Sequence, residues 1–250
     1  MSKPVTLKLY IAFLTLFVIV MNILANAMPF FGNTTGEISA RYETLFTPAG
    51  ITFSIWGVIY ALSVLFALRF FTYDIMTHRT MCLRIAKAYT GLSLANVVWL
   101  FLWHAELIIV SSLVLFIALA CAIYLALHYR MANTIERTFF TIYAAWLSVA
   151  AIANVTIVIV ASTITLPFSP LLWTIAVLII ASLISFRASI TLKSQAFTAV
   201  ILWAFFGIAL RHAPHAPNQE TPLFITTFLL MGVLIITLFL QPKEKPAKTG

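Results

Sequence analysis

The chain has 250 residues, of which 62% are hydrophobic and only 9% are charged. A soluble domain carries about 25% charged residues on the surface that faces water, so this composition excludes a soluble globular protein. We attribute the net charge of +8 to membrane orientation and contact with anionic lipids, and expect no nucleic-acid partner.

The hydrophobic residues are grouped in long stretches that short polar segments separate. About 20 residues of helix cross the hydrocarbon layer of a bilayer, and a backbone in lipid must hydrogen-bond within its own helix. The sequence therefore predicts an all-α polytopic membrane protein with about eight transmembrane helices. The predicted spans are residues 9–29, 50–72, 86–104, 107–128, 139–162, 170–186, 196–210 and 222–241.

The first predicted span has a second interpretation as a secretory signal peptide. Residues 9–24 are apolar, follow two lysines and precede the small-residue segment 25–27, as at a cleavage site. We favour a retained helix, because the apolar run continues to Phe31. Asn22 and Asn26 also lie one helical turn apart, as expected of a helix that packs against others.

The basic residues predict the orientation of the chain. If the N-terminus is cytoplasmic, only Arg41 and Arg211 of the 15 lysines and arginines lie on the outer side. Basic residues concentrate in cytoplasmic segments. We therefore expect both termini in the cytoplasm and the chain in a plasma membrane, such as a bacterial inner membrane. Residues 242–250 are rich in lysine and proline and are predicted to form a disordered tail.

The sequence contains no recognisable catalytic or metal-binding motif. It has no row of intramembrane carboxylates, no Gly-rich phosphate loop and no HExxH motif. His212 and His215 lie close together in a loop, but two imidazoles alone seldom form a metal site. We therefore predict no catalytic residue, no metal site and no required cofactor.

Aromatic and amide side chains recur at helical spacing on three of the predicted spans, so each set shares one helical face. The three sets are Phe53, Trp56 and Tyr60; Asn96, Trp99 and Trp103; and Tyr143, Trp146, Ala150 and Asn154. An amide in hydrocarbon needs a hydrogen-bond partner, so these faces point into the bundle. Spacing alone favours simple interhelical packing. The alternative is an aromatic-lined cavity for a small molecule.

Three segments resemble the motifs of one family. Residues 46–60, FTPAGITFSIWGVIY, resemble the second-helix signature of the TspO/MBR family, the tryptophan-rich sensory proteins related to the mitochondrial translocator protein. Residues 94–99, LANVVW, resemble its third-helix N-x-x-W, and residues 143–154 resemble its fifth-helix Y-x-x-W-x-x-x-A-x-x-x-N.

The sequence also departs from that pattern. Phe46 stands where the family usually has Trp, and Ala49 stands where it usually has Pro. The spacing from Phe53 to Trp56 is one residue shorter than in the usual pattern of the family.

The resemblance implies a five-helix ligand-binding module at residues 1–163, followed by three additional transmembrane helices within residues 164–241. It implies a pocket under a lid at residues 31–47. The ligand would be a tetrapyrrole, such as porphyrin or haem, or a similar hydrophobic molecule. It would not be a required cofactor. The implied lining residues are Trp56, Asn96, Trp146, Ala150 and Asn154, supported by Phe53, Tyr60, Trp99 and Tyr143.

Three functions stay open at this point. We favour a binding or sensory protein for a hydrophobic small molecule. The alternative is a secondary transporter of a small apolar metabolite, although the sequence has no inverted repeat. An enzyme acting on tetrapyrroles is the third, and no acid–base pair supports it. The expected partners are the lipid bilayer and the ligand, and a homodimer stays open.

A single eight-helix unit, in which Trp173 or Trp203 reaches the cavity, is the alternative to the two-module division.

Overall fold

The computed structural model describes residues 3–28, 30–131, 134–164 and 167–240, and the predicted disordered tail lies outside these ranges. Within them the chain forms helices and no strands. The helices are α1 (Lys3–Ala27), α2 (Thr35–Arg41), α3 (Ile55–Phe70), α4 (Arg79–His104), α5 (Ile108–His128), α6 (Thr134–Ala161), α7 (Pro170–Leu192), α8 (Ala196–Arg211) and α9 (Thr221–Leu240), with 3₁₀ segments at Phe30–Gly32 and Gly50–Ser54.

The helices confirm the predicted fold class. In the described part of the chain, six of them are long and apolar enough to cross a membrane, namely α1 and α3 to α7. The other two predicted spans correspond to shorter apolar helices, Ala196–Arg211 and Thr221–Ile236. The remaining helix, α2, has only 7 residues and lies between α1 and α3.

Several helices extend beyond the predicted spans. The helix α4 begins at Arg79 instead of residue 86, and α7 ends at Leu192 instead of residue 186. The added turns contain Arg79, Arg84 and Arg187, and arginine is a good helix former that can extend its charged end to the membrane surface. The apolar stretch alone therefore underestimates the length of these helices.

Five of the long helices form one bundle. The helix α1 packs on α3 and α4, α4 packs on α5, α5 on α6, and α3 on α6. At the end of the bundle away from α2, Arg69 of α3 donates from Nε to Glu136 Oε1 of α6 at 2.7 Å, and Tyr73 donates to the same oxygen at 3.0 Å. The ion pair and the tyrosine bond therefore fix α3 against α6 at that end.

The last three helices, α7 to α9, pack on one another, and α8 also packs on α6 and on the second 3₁₀ segment. Ala49 N donates to Gly207 O of α8 at 2.9 Å, and Trp203 Nε1 of α8 donates to Thr52 O at 2.8 Å. A Cβ atom at Gly207 would lie 1.9 Å from Thr52 Oγ1. A glycine is therefore needed for this close approach of α8 to the segment that precedes α3.

Candidate ligand site

A cavity of about 880 Å³ lies inside the five-helix bundle beneath α2. Its volume falls within the range of about 300–1,000 Å³ that is usual for small-molecule sites. Four of the six tryptophans of the chain line it, namely Trp56, Trp99, Trp103 and Trp146. The cavity is therefore an aromatic chamber that helices α1, α3, α4 and α6 enclose.

Seven of the nine residues that the sequence predicted for the site line this cavity. They are Phe53, Trp56, Tyr60, Trp99, Trp146, Ala150 and Asn154. Asn96 and Tyr143 do not line it and lie behind its wall. Asn96 Oδ1 accepts a hydrogen bond from Asn22 Nδ2 at 2.8 Å, and the Tyr143 ring packs edge-on against Trp56 at 6.0 Å. The binding role of all nine residues stays a prediction.

The second 3₁₀ segment accommodates the missing residue between Phe53 and Trp56. Residues three apart eclipse one another in a 3₁₀ helix, whereas an α-helix needs 3.6 residues per turn. Phe53 lies in the 3₁₀ segment and Trp56 in the first turn of α3. Their rings lie edge-on to Trp146, at 5.9 Å and 6.5 Å respectively. The shortened motif therefore still places both rings on the cavity face.

The amide groups of the cavity wall are largely hydrogen-bonded within the protein. Asn154 Nδ2 donates to Ala150 O at 3.0 Å, and its Oδ1 accepts from Ser112 at 3.4 Å. Two other polar atoms of lining residues, Trp99 Nε1 and Arg211 Nε, are buried without a hydrogen-bond partner in the described structure. The unpaired groups are thus N–H donors.

Sequence reasoning missed several lining residues. Asn22 and Asn26 carried a signal, because their spacing indicated a buried face of α1, and Trp103 belongs to the same stripe as Trp99. Arg211 carried none, because it belongs to a helix that the recognised motifs do not include. The residues of α2 that line the cavity have no periodic pattern, since the helix is so short.

The helix α2 covers the cavity and is fixed at both ends. At its start, Thr34 and Glu37 form a capping box, with Thr34 N donating to Glu37 Oε2 at 2.7 Å. At its end, Arg41 forms an ion pair with Glu106, in the tight turn between α4 and α5. Between them, Trp103 Nε1 donates to Thr35 O at 3.3 Å. We call residues 31–47 the lid, as predicted, and this end of the bundle the lid end.

The capping box changes the titration of the lid. The hydrogen bonds from Thr34 lower the pKa of Glu37. Because the pKa is lower in the folded lid, the stabilisation is present above the ordinary glutamate pKa and is lost as the pH falls through the lowered value. At the other end of α2, burial and the hydrogen bond to Glu106 raise the pKa of Tyr42.

A second cavity, of about 800 Å³, lies between α6, α7 and the loop that joins α8 to α9. Trp173 lines this second cavity, whereas Trp203 lines neither cavity. His212 is buried beside it, with Nε2 3.0 Å from Leu45 O and Nδ1 2.7 Å from Asn218 O. No group of three or more His, Cys, Asp or Glu in the described ranges could hold a metal ion.

An aromatic cavity between the helices of a bundle is typical of membrane proteins that bind small molecules. The family described as TSPO-like protein matches residues 8–240, so this chain belongs to that family. The match extends through α7 to α9, beyond the residues that carry the recognised motifs. No curated protein and no solved structure matches the chain. The protein is accordingly an integral membrane protein with a binding or sensory role.

Proposed function

We propose that the protein binds a tetrapyrrole, such as a porphyrin or haem, in the cavity beneath the lid and acts as a sensor of that ligand. The observation that carries the proposal is the set of four tryptophans in the wall of a cavity of about 880 Å³. Flat aromatic faces offer a large stacking area to a planar macrocycle.

The arrangement of the rings supports a planar ligand. Trp56 and Trp146 stand at 88° to each other, whereas Trp99 and Trp103 are stacked with centroids 5.8 Å apart. A macrocycle that lies flat on one ring of the perpendicular pair meets the edge of the other, which is a favourable aromatic geometry. The small side chain of Ala150, on the same face of α6, leaves room for the ligand.

The proposed orientation of the chain rests on its basic residues. We place both termini in the cytoplasm and the lid on the outer face of a plasma membrane, because Arg41 and Arg211 are the only basic residues assigned to that side. In this orientation the ligand reaches the cavity from outside the cell or from the outer leaflet.

Fluorescence titration tests the proposal. Purified protein in lipid nanodiscs is titrated with protoporphyrin IX, and saturable quenching of tryptophan emission is expected. Trp146→Phe replaces an indole that lines the cavity by a smaller phenyl ring and should weaken binding, whereas Trp173→Phe, which alters only the second cavity, should not. Quenching that never saturates, or that both variants share equally, would refute a tetrapyrrole site in this cavity.

The same cavity would serve the alternative, a secondary transporter of a small apolar metabolite. Proteoliposomes containing the protein separate the two functions. A sensor binds the porphyrin without moving it, so the rate of porphyrin release from loaded liposomes should match that of empty-membrane controls. Faster release that requires an unblocked cavity would favour transport.

A further inference from the structure

The cavity beneath the lid contains a single charge, and that charge comes from the last three helices. Among the described residues that line it, Arg211 is the only charged one. Arg211 is the last residue of α8, whereas every other lining residue belongs to the chain before α7. The helix α8 therefore adds to the site a group that the five-helix bundle does not supply.

Arg211 has little to bind within the protein. Its Nη2 lies 3.6 Å from Glu43 Oε1, which is beyond hydrogen-bonding distance, and the Glu43 side chain is 68% exposed. Such exposed ion pairs contribute little to stability. The Nε atom of Arg211 is buried without a hydrogen-bond partner in the described structure.

The other arginine at the lid end differs in this respect. Arg41 pairs with Glu106 and also donates from Nη2 to Asn33 Oδ1 at 2.7 Å. Arg41 thus fastens the lid, while the guanidinium of Arg211 keeps most of its donor capacity.

The indole N–H of Trp99, in the wall of the same cavity, is a second donor without a hydrogen-bond partner in the described structure. Trp99 is 8% exposed, lines the cavity, and its Nε1 is buried without a partner. An unpaired buried donor is costly, so each such group in a native protein calls for an explanation. Because both atoms are themselves buried, a ligand would reach Arg211 through the part of its side chain that is accessible, which is 18% of it, and a carboxylate there would match the charge of Arg211.

We propose that Arg211 makes the site selective for ligands that carry a carboxylate. This inference rests on the proposed function, because it specifies the substrate class of the same site. The apolar macrocycle lies among the tryptophans of the cavity. Its carboxylate lies at the lid end and accepts two parallel hydrogen bonds from the guanidinium, a geometry that arginine favours.

The test compares protoporphyrin IX with its dimethyl ester, which has the same ring and no acid. Both are titrated against the wild type and Arg211→Gln in nanodiscs of zwitterionic lipid, and the ratio of the two affinities is the readout. Because each porphyrin partitions equally into the lipid of both samples, partitioning cancels when the ratios are compared. The apparent preference of the wild type for the acid should exceed that of Arg211→Gln by about tenfold or more.

Three variants control for charge and for location. Glu43→Gln removes the distant carboxylate and keeps Arg211, so the preference for the acid should persist or increase. Arg211 also lines the second cavity, so Ile159→Trp, which fills that cavity only, should leave the preference unchanged. Ala150→Phe, which fills part of the main cavity, should weaken binding of both porphyrins by about tenfold or more.

Each outcome has a separate meaning. An acid preference that falls in Arg211→Gln supports the inference. An unchanged preference in Arg211→Gln, including an equal loss of both porphyrins in that variant, overturns it and leaves the proposed function in place. An acid preference that Ile159→Trp removes would overturn the location in the main cavity. If neither porphyrin binds the wild type, the proposed function and this inference both fail.

Discussion

Ala150 lies between Trp146 and Asn154 along the cavity face of α6, and all three line the cavity. We predict that Ala150→Phe weakens porphyrin binding by about tenfold or more, because the larger ring occupies the space of the ligand. The variant should still fold, since it fills a cavity and removes no contact. Fluorescence titration together with a thermal unfolding curve measures both properties.

The matched control is Val155→Phe, because Val155 belongs to the same helix, is 37% exposed and does not line the cavity. It should bind as the wild type does. Equal affinity of a well-folded Ala150→Phe variant and the wild type would mean that the ligand binds elsewhere.

At this scale the sequence predicts which faces are buried better than it predicts which atoms are available to a ligand. The spacing of Asn96 and Asn154 indicates that both amides point into the bundle, and both are buried. Spacing cannot show that Asn22 lies between Asn96 and the cavity and donates a hydrogen bond to its Oδ1. That relation depends on how α1 and α4 are aligned, which no local pattern specifies.

Among the helices, the contact of α8 with the second 3₁₀ segment depends on Gly207. We predict that Gly207→Ala destabilises the protein by about 1–3 kcal/mol, because the new methyl group overlaps Thr52 and forces α8 away. Unfolding in mixed micelles with increasing denaturing detergent measures the change. Gly232→Ala in α9 is the control, since a Cβ atom there meets nothing within 4 Å and should be neutral or stabilising.

The lid depends on the pairing of Arg41 with Glu106. We predict that Arg41→Gln accelerates porphyrin dissociation by about two- to fivefold, the effect expected from losing one partly exposed ion pair. Stopped-flow displacement measures the dissociation rate. Glu43→Gln, in the same loop, removes only the distant contact with Arg211 and should not accelerate dissociation. An unchanged rate in Arg41→Gln would show that the lid does not control exit.

The sequence predicted the long helices well, because hydrocarbon thickness determines how long an apolar stretch must be. It could not predict the lid helix α2. Seven residues are too few for a periodic pattern, and the capping residues Thr34 and Glu37 are recognisable only once a helix is known to start there.

For the whole molecule, the distribution of basic residues predicts an even number of membrane crossings. A reporter fused after Lys248 should therefore report the cytoplasm, and one inserted near Asn33 should report the outer side. Alkaline phosphatase and green fluorescent protein fusions give opposite signals on the two sides. If both positions report the same side, the predicted number of crossings is wrong.

The division into two modules can be tested with a chain that ends at Ile164. We predict that it still inserts, because the tryptophan and asparagine faces of the first five long helices pair with one another. It should bind protoporphyrin dimethyl ester about tenfold more weakly, since α8 no longer supports the segment at Thr52. A chain that inserts but binds nothing would contradict a self-sufficient five-helix module.

The hydrogen bond from Trp203 to Thr52 joins residues 151 positions apart. A ribosome adds about 5–20 residues per second, so roughly 8–30 s pass between synthesis of the two partners. By the end of that interval the tryptophans of α3, α4 and α6 have been synthesised, while the segment that carries Phe53 still lacks its support from α8. Under the proposed function, a porphyrin already present in the membrane would first meet an incomplete cavity. Its affinity would reach the final value only when α8 inserts and contacts Thr52.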